Sequence, residues 1–175
     1  MKLNIKLLQS ITLILFLVFV TFTANAQQDT ASYKKNAIYF EFGGSGGDHS
    51  TNYERIVKHF SETDIALRAG MGYNNIIDYK DDFNPDMVFP FMAIVTYGKN
   101  HKIEAGIGQT FSSTIETDIH TGEPARMSNF STIFNIGYRY QNPSKRLLIR
   151  AGYTPFIEFN EKYHNWFGVS IGFTF

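Results

Sequence analysis

A regular alternation of apolar residues with small or polar ones limits the possible folds of this chain more than any other feature. In the last ten residues, WFGVSIGFTF, apolar side chains stand at every second position from Phe167 to Phe175. Glycine, serine and threonine occupy most of the positions between them. A period of two is typical of a β-strand with one apolar face, so this pattern predicts a strand.

The same alternation recurs along the chain and defines eight strands, with no helical segment after residue 26. The strands are predicted at 38–43, 49–57, 66–73, 88–97, 103–108, 134–140, 147–154 and 166–175. Short turns at 59–63, 98–101 and 142–145 alternate with longer polar stretches at 74–86 and 112–129 and a shorter one at 160–165. This arrangement predicts an all-β fold, an eight-stranded antiparallel up-and-down transmembrane barrel.

Charged residues lie on the face of the strands opposite the apolar one. They are Glu41, Glu54, Arg68, Glu104, Arg139, Arg150 and Glu158. Because an eight-stranded barrel has room inside only for side chains, small residues and paired charges fit its lumen better than a large aromatic set does. The apolar face then meets lipid, and the narrow lumen is filled by a structural charge network instead of forming an open pore.

A second interpretation stays open at this point. In a secreted or periplasmic barrel of the lipocalin type, the same apolar face would line a cavity and carry an apolar ligand. The two interpretations differ in which face of each strand points inward, since a period of two defines two faces without naming the inner one.

The N-terminus has the three-part layout of a secretory signal peptide. Two lysines precede an apolar run at 11–22, which is short for a membrane-spanning helix. Ala24 and Ala26 supply the small-x-small pattern, and cleavage is expected before Gln27. We therefore predict export by the Sec pathway, with a signal peptide at 1–26, a short tail at 27–35 and the barrel at 36–175.

The composition argues against several classes of protein. The chain has no cysteine, so it forms no disulfide and carries no lipid anchor on cysteine. Its 16 basic and 16 acidic side chains include no basic block, which argues against a nucleic-acid partner. The 17 Phe and 10 Tyr residues fit an all-β chain with large apolar surfaces.

Two segments carry a resemblance to a known family. The C-terminal strand, ending on Phe175, resembles the assembly signal of bacterial outer-membrane barrels, and NAIYFEFGGSGGDHSTNYER resembles the first hairpin of small porin-like barrels of the Bacteroidetes type. The resemblance implies location in the outer membrane of the cell envelope, contact with its lipid, and recognition by the barrel-assembly machinery. The residues of this signal are Phe167, Val169, Ile171, Phe173 and Phe175.

One stretch has part of the pattern of a calcium loop. Asp82, Asn84 and Asp86 match its D-x-N-x-D opening. Met87 stands where such a loop needs glycine, and Ala93 stands where it needs a bidentate glutamate. We therefore expect a solvated acidic loop there, with no metal or other cofactor.

Candidate catalytic residues are few. Ser112, Ser113, Asp118 and His120 place a serine, an acid and a histidine in one predicted loop at the barrel mouth. Their spacing matches no nucleophile motif, and the five histidines of the chain show no metal-ligand spacing. A hydrolase at the mouth is thus a less favoured alternative, and we expect a protein that is not an enzyme.

The leading functional hypothesis is a structural or loop-mediated interaction role in the envelope, with an unknown extracellular ligand at the loops. The glycine-rich segment FGGSGGD at 42–48 does not contradict it. A phosphate-binding loop needs a following helix and a G-x-G-x-x-G or Walker pattern, and this segment has neither. We therefore predict that these glycines form the flexible, close-packed tip of the first hairpin, with the turn at Gly46, Gly47 and Asp48.

Overall fold

The computed structural model describes residues 34–78, 80, 82–117, 122–142, 146–158 and 163–175. The predicted cleavage site at Ala24, Ala26 and Gln27 lies outside the described residues. No helix within the described ranges has the length and apolarity needed to cross a membrane.

The described chain consists of ten β-segments and one turn of 3-10 helix. The segments are β1 (Asn36–Gly43), β2 (His49–Phe60), β3 (Thr63–Tyr73), β4 (Met87–Tyr97), β5 (His101–Thr117), β6 (Pro124–Gln141), β7 (Leu147–Tyr153), β8 (Phe156–Glu158), β9 (Tyr163–His164) and β10 (Phe167–Thr174). The 3-10 turn, Gly44–Gly46, connects β1 to β2.

Antiparallel pairing of neighbours closes the sheet into a barrel. Each segment from β1 to β6 pairs with the next one along the chain, and β10 pairs with both β7 and β1. Because β8 continues β7 along the edge of β6, and β9 pairs with β8, the last four segments form only two barrel strands. The predicted eight-stranded antiparallel barrel is confirmed.

The interruption in the seventh barrel strand falls at Thr154 and Pro155. Pro155 has no backbone N–H to donate to the ladder, so regular pairing stops there. Irregular hydrogen bonds bridge the gap: Phe134 N donates to Pro155 O at 2.9 Å, and Thr154 N donates to Trp166 O at 2.8 Å.

Two connections differ from the predicted ones. The sequence predicts a long loop at 112–129, but β5 continues to Thr117 and β6 begins at Pro124. The two strands pair without interruption from Thr117↔Pro124 to His101↔Tyr140. This hairpin extends past β4, whose pairing with β5 stops at Met87↔Ser113. The extension lacks an apolar face, so the alternation of apolar residues did not predict these strand ends. Backbone hydrogen bonds between β5 and β6 hold them together.

The glycine-rich connection is the second difference. It joins β1 to β2 and is closely packed, as predicted, but the 3-10 turn lies at Gly44–Gly46 and not at 46–48, and its residues are buried. The turn folds inward because its neighbour on β3 is Gly72: a Cβ there would lie 2.8 Å from the backbone oxygen of His49, and closer still to that of Gly46.

We expect Gly72→Ala to displace this turn. Its added methyl group meets backbone oxygens, which cannot rotate away, so the free energy of unfolding should fall by about 1–3 kcal/mol. Urea unfolding of the refolded barrel measures the loss. Gly152→Ala is the matched control, since its nearest atom is Asn135 Oδ1 at 3.1 Å; an equal loss in both variants would contradict this explanation.

The distribution of burial is the reverse of that in a water-soluble protein. Within the described ranges, 20 buried residues are polar or charged and nine are apolar. Large apolar side chains are exposed along every long strand, for example Phe91, Ile107 and Ile171 at 54–56%. Polar residues therefore fill the barrel interior, and its outer surface is apolar.

Candidate functional site: the barrel interior and its mouth

Glu104, on β5, is the centre of a charge cluster that crosses the barrel interior. Its carboxylate accepts hydrogen bonds from Arg68 Nη2 at 3.3 Å, from Arg139 Nε at 2.9 Å and from Arg150 Nε at 3.0 Å. Asn135 Nδ2 adds a fourth contact at 2.7 Å. The four donors come from β3, β6 and β7, so one buried acid connects three other strands.

Glu54, on β2, forms the second centre of this cluster. Arg139 binds it with two parallel hydrogen bonds, from Nη1 at 2.6 Å and from Nη2 at 2.8 Å. Arg68 stands opposite Glu54 in the ladder, and its Nη2 lies 3.4 Å from Glu54 Oε2. A bidentate arginine–carboxylate pair is among the strongest ionic contacts in proteins and has a defined geometry.

Glu41, on β1, connects the cluster to the buried turn. Its carboxylate accepts from Arg150 Nη1 at 3.3 Å, from Ser170 Oγ at 3.2 Å, and from both the backbone N and the Oγ of Ser45 at 3.2 and 3.1 Å. The ring of Tyr39 lies close to Arg150 and Arg68, whose guanidinium carbons are 4.9 and 5.4 Å from its centroid. The central cluster therefore contains three glutamates and three arginines, and their formal charges balance.

A separate polar group lies toward the end of the barrel with the short turns. Lys102 Nζ donates to Asp64, His59 Nδ1 lies 2.7 Å from the same carboxylate, and Thr96 Oγ1 donates to it at 3.4 Å. Sequence reasoning missed Asp64 and Lys102. The signal was present, since Asp64 has the parity of Arg68, and Lys102 has the parity of Glu104.

Glu158 lies on the inner side of β8 but apart from the central cluster. It stands opposite Ser131 on β6, and His164 Nε2 lies 3.1 Å from its Oε1. The side chain is 25% exposed. The other six residues of the predicted luminal set belong to the central cluster, whereas Glu158 belongs to the mouth.

The mouth holds a cavity of about 210 Å³. The inner turn forms one wall with Gly44 and Ser45, and β5, β6 and β8 form the others. The lining residues with polar or charged side chains are Ser45, Asp48, Asn74, Thr110, Ser112, Thr114, Glu116, Asn129, Ser131 and Glu158. The sequence pattern placed several of these on one face but could not indicate that they surround a space.

The 74–86 connection is tied to the long hairpin. Arg126 Nη2 donates to the backbone oxygen of Asn84 at 2.7 Å, and its Nη1 donates to that of Ser113 at 2.9 Å. Asp86 Oδ1 accepts from the backbone N of Ile115 at 3.0 Å. Asp86 is therefore engaged in structural contacts, and no group of three or more potential metal ligands occurs within the described ranges.

Asp78 accepts several hydrogen bonds from residues of the same connection. Asn84 Nδ2 donates to its carboxylate at 3.0 Å, and the backbone N atoms of Lys80 and Asp82 donate at 2.8 and 3.2 Å. These hydrogen bonds hold the pKa of Asp78 below its ordinary value, and the one from Asn84 contributes most. Asp82 and Asn84 thus serve the internal order of the loop.

Two of the four candidate hydrolase residues lie within the described ranges. Ser112 lines the mouth cavity, and Ser113 Oγ accepts a hydrogen bond from Arg126 Nη1 at 3.4 Å. Asp118 and His120 lie outside the described residues. Neither serine has a histidine or carboxylate among its hydrogen-bond partners in the described part of the chain, so the described geometry provides no activated nucleophile.

The residues of the predicted assembly signal are exposed, four of them on β10 and the fifth directly after it. Phe167, Val169, Ile171 and Phe173 are 51–70% exposed. Phe175 follows β10 and continues its pairing with β1: the backbone N of Phe175 donates to Asn36 O at 2.9 Å, and its backbone O accepts from Asn36 N at 3.1 Å.

Two solved structures are similar to this chain. The N-terminal β-barrel domain of Pseudomonas aeruginosa OprF has a TM-score of 0.55 at 14% sequence identity, covering 82% of this chain and 100% of that one. The attachment invasion locus protein Ail of Yersinia pestis, in complex with the heparin analogue sucrose octasulfate, has a TM-score of 0.57 at 12% identity, covering 81% and 99%. No protein-family model and no curated protein matches the chain. At these identities the likeness shows a shared barrel fold.

Proposed function

We propose that this chain is an integral outer-membrane β-barrel protein with a structural or loop-mediated role in the cell envelope. The observation that carries the proposal is the reversed burial: charged residues fill the interior, and large apolar residues cover the outside. Such a surface is stable only against lipid or detergent, and closure leaves no sheet edge unsatisfied in the membrane. The two similar structures are the N-terminal β-barrel domain of OprF and the attachment invasion locus protein Ail, and both share the barrel fold.

Cell fractionation and heat-dependent gel mobility test this proposal. The protein should appear in the outer-membrane fraction, and the folded form should migrate differently from the boiled form. Recovery as a detergent-free monomer from the periplasm would overturn the proposal in favour of the lipocalin-like alternative. That alternative needs an apolar interior, whereas the central cluster contains three glutamates and three arginines.

A charge placed on the outer surface should distinguish lipid from water directly. Ile107 is 54% exposed and lies near the middle of β5, opposite Ala93 and Phe134. We expect Ile107→Lys to cost about 2–4 kcal/mol of unfolding free energy in a bilayer, because the ammonium enters hydrocarbon. Guanidinium unfolding in lipid vesicles measures the loss.

Ile76→Lys is the matched control for this experiment. Ile76 is 46% exposed but lies in the 74–86 connection, outside the strands. The substitution should change stability by less than about 0.5 kcal/mol, as is usual at surface positions. Similar small effects at both positions would show that water surrounds the barrel.

The loop end is the part of the protein suited to contact a partner. The β5–β6 hairpin extends beyond β4, and Arg126 and Asp86 tie the 74–86 connection to it. Strands held by such contacts present a defined surface at low entropic cost. We therefore place the interaction role at this end, and we propose that the protein acts by binding, without catalysing a reaction.

A further inference from the structure

The mouth cavity has unused hydrogen-bonding capacity. Ser131 is only 8% exposed and lines the cavity, and its hydroxyl forms no hydrogen bond with another described residue. Buried polar groups without partners are uncommon in native proteins, and at a cavity wall they point to a polar ligand.

The charge of the cavity wall has one sign. Asp48, Glu116 and Glu158 line it, and none of the described lining residues is a lysine or an arginine. Glu116 is held in place, since its Oε1 accepts from Thr114 Oγ1 at 3.0 Å and from Asn129 Nδ2 at 3.1 Å. An anionic ligand would be repelled by this wall, whereas a cation would be attracted to it.

Aromatic rings form another part of the wall. Phe156 and Trp166 both line the cavity, with their rings edge-to-face and 6.4 Å between centroids. Such rings attract organic cations through their faces and pack against the apolar side of a small ring. A cavity of about 210 Å³ is smaller than a typical drug-sized pocket, so it suits one small molecule.

We propose that this cavity binds a small organic ammonium ion that also carries hydroxyl groups, such as an amino sugar. The ammonium would pair with the carboxylates of Glu116 and Glu158, and a ligand hydroxyl would meet the hydroxyl of Ser131. This inference goes beyond the proposed envelope role, since it requires only a folded barrel and assigns a small-molecule site to its mouth.

The fluorescence of Trp166 provides a direct test, because it is the only tryptophan of the chain. The full barrel, refolded in nonionic micelles, is titrated with protonated glucosamine and, separately, with glucose, which lacks the ammonium. We expect a saturable change with glucosamine and at least about tenfold weaker binding of glucose, as loss of a charged hydrogen bond predicts. Equal binding of glucose, tighter binding of inorganic sulfate, or no saturable change would overturn the proposal.

Two variants assign the binding to the cavity. Glu116→Gln and Glu158→Gln keep the side-chain shape, and each should weaken glucosamine binding about tenfold. The control is Glu62→Gln, at the opposite end of the barrel beside Lys99, which should leave the affinity unchanged. Heat-dependent gel mobility verifies that each variant is folded. Folded Glu116→Gln and Glu158→Gln variants that bind like the Glu62→Gln variant would contradict the assignment.

Discussion

Replacing Glu104 by glutamine should lower the free energy of unfolding of the barrel by about 3–5 kcal/mol. Its carboxylate accepts from Arg68, Arg139 and Arg150 and is almost fully buried. The neutral amide would leave three buried arginines with only two glutamates, and an uncompensated buried charge is far more costly than an exposed one. Guanidinium unfolding of the refolded protein in lipid vesicles measures the change.

Two further variants make this result interpretable. Glu62→Gln breaks an exposed contact with Lys99 at 3.5 Å and should have almost no effect, as is usual for surface ion pairs. Adding Arg150→Met to Glu104→Gln restores the charge balance and should recover part of the lost stability. A loss below about 1 kcal/mol for Glu104→Gln would mean that water, and not the arginines, compensates the carboxylate.

Deleting Phe175 should remove most of the assembled protein from the outer membrane of cells. Two backbone hydrogen bonds join this residue to Asn36 across the closing seam, and the resemblance of the last strand to an assembly signal predicts recognition of its terminal aromatic ring. In refolding without other proteins, the loss should be only about 1–3 kcal/mol, corresponding to the two hydrogen bonds. Immunoblotting of outer-membrane fractions and urea unfolding measure the two effects.

Phe175→Ala separates the ring from the backbone. It keeps both seam hydrogen bonds, so refolding in vitro should be nearly normal while assembly in cells still fails. Phe60→Ala is the matched control, because Phe60 is 51% exposed near the same end of the barrel and lies outside the proposed signal. Normal assembly of the Phe175 deletion would favour a barrel that does not depend on an assembly machinery.

The alternation predicted most of the strands because it follows from one physical requirement. A closed sheet has an inner and an outer face, and residues two apart share a face. β4 was a weaker signal because Met92 and Ile94 are apolar residues on its inner face, so both of its faces are partly apolar. The β5–β6 extension gave no signal because the pairing of its strands depends on backbone hydrogen bonds and not on an apolar face.

The buried turn and the pairing inside the lumen were beyond sequence reasoning for a different reason. Glu104 and Arg150 are 46 positions apart, and their contact depends on how far the strands shift relative to one another when the barrel closes. The inward fold of Gly44–Gly46 depends on the absence of a side chain at Gly72, on another hairpin. A local sequence pattern contains no information about either of these contacts.

By itself, the sequence determined the number of barrel strands, their antiparallel order and the two sets of residues that share a face, because a period of two is a local property of the backbone. Tertiary structure alone decided that Glu158 belongs to the mouth, that three arginines converge on Glu104, and that the turn and Trp166 enclose a cavity. The contacts of Glu104 join strands far apart in the chain, and only closure of the barrel brings those residues within hydrogen-bonding distance.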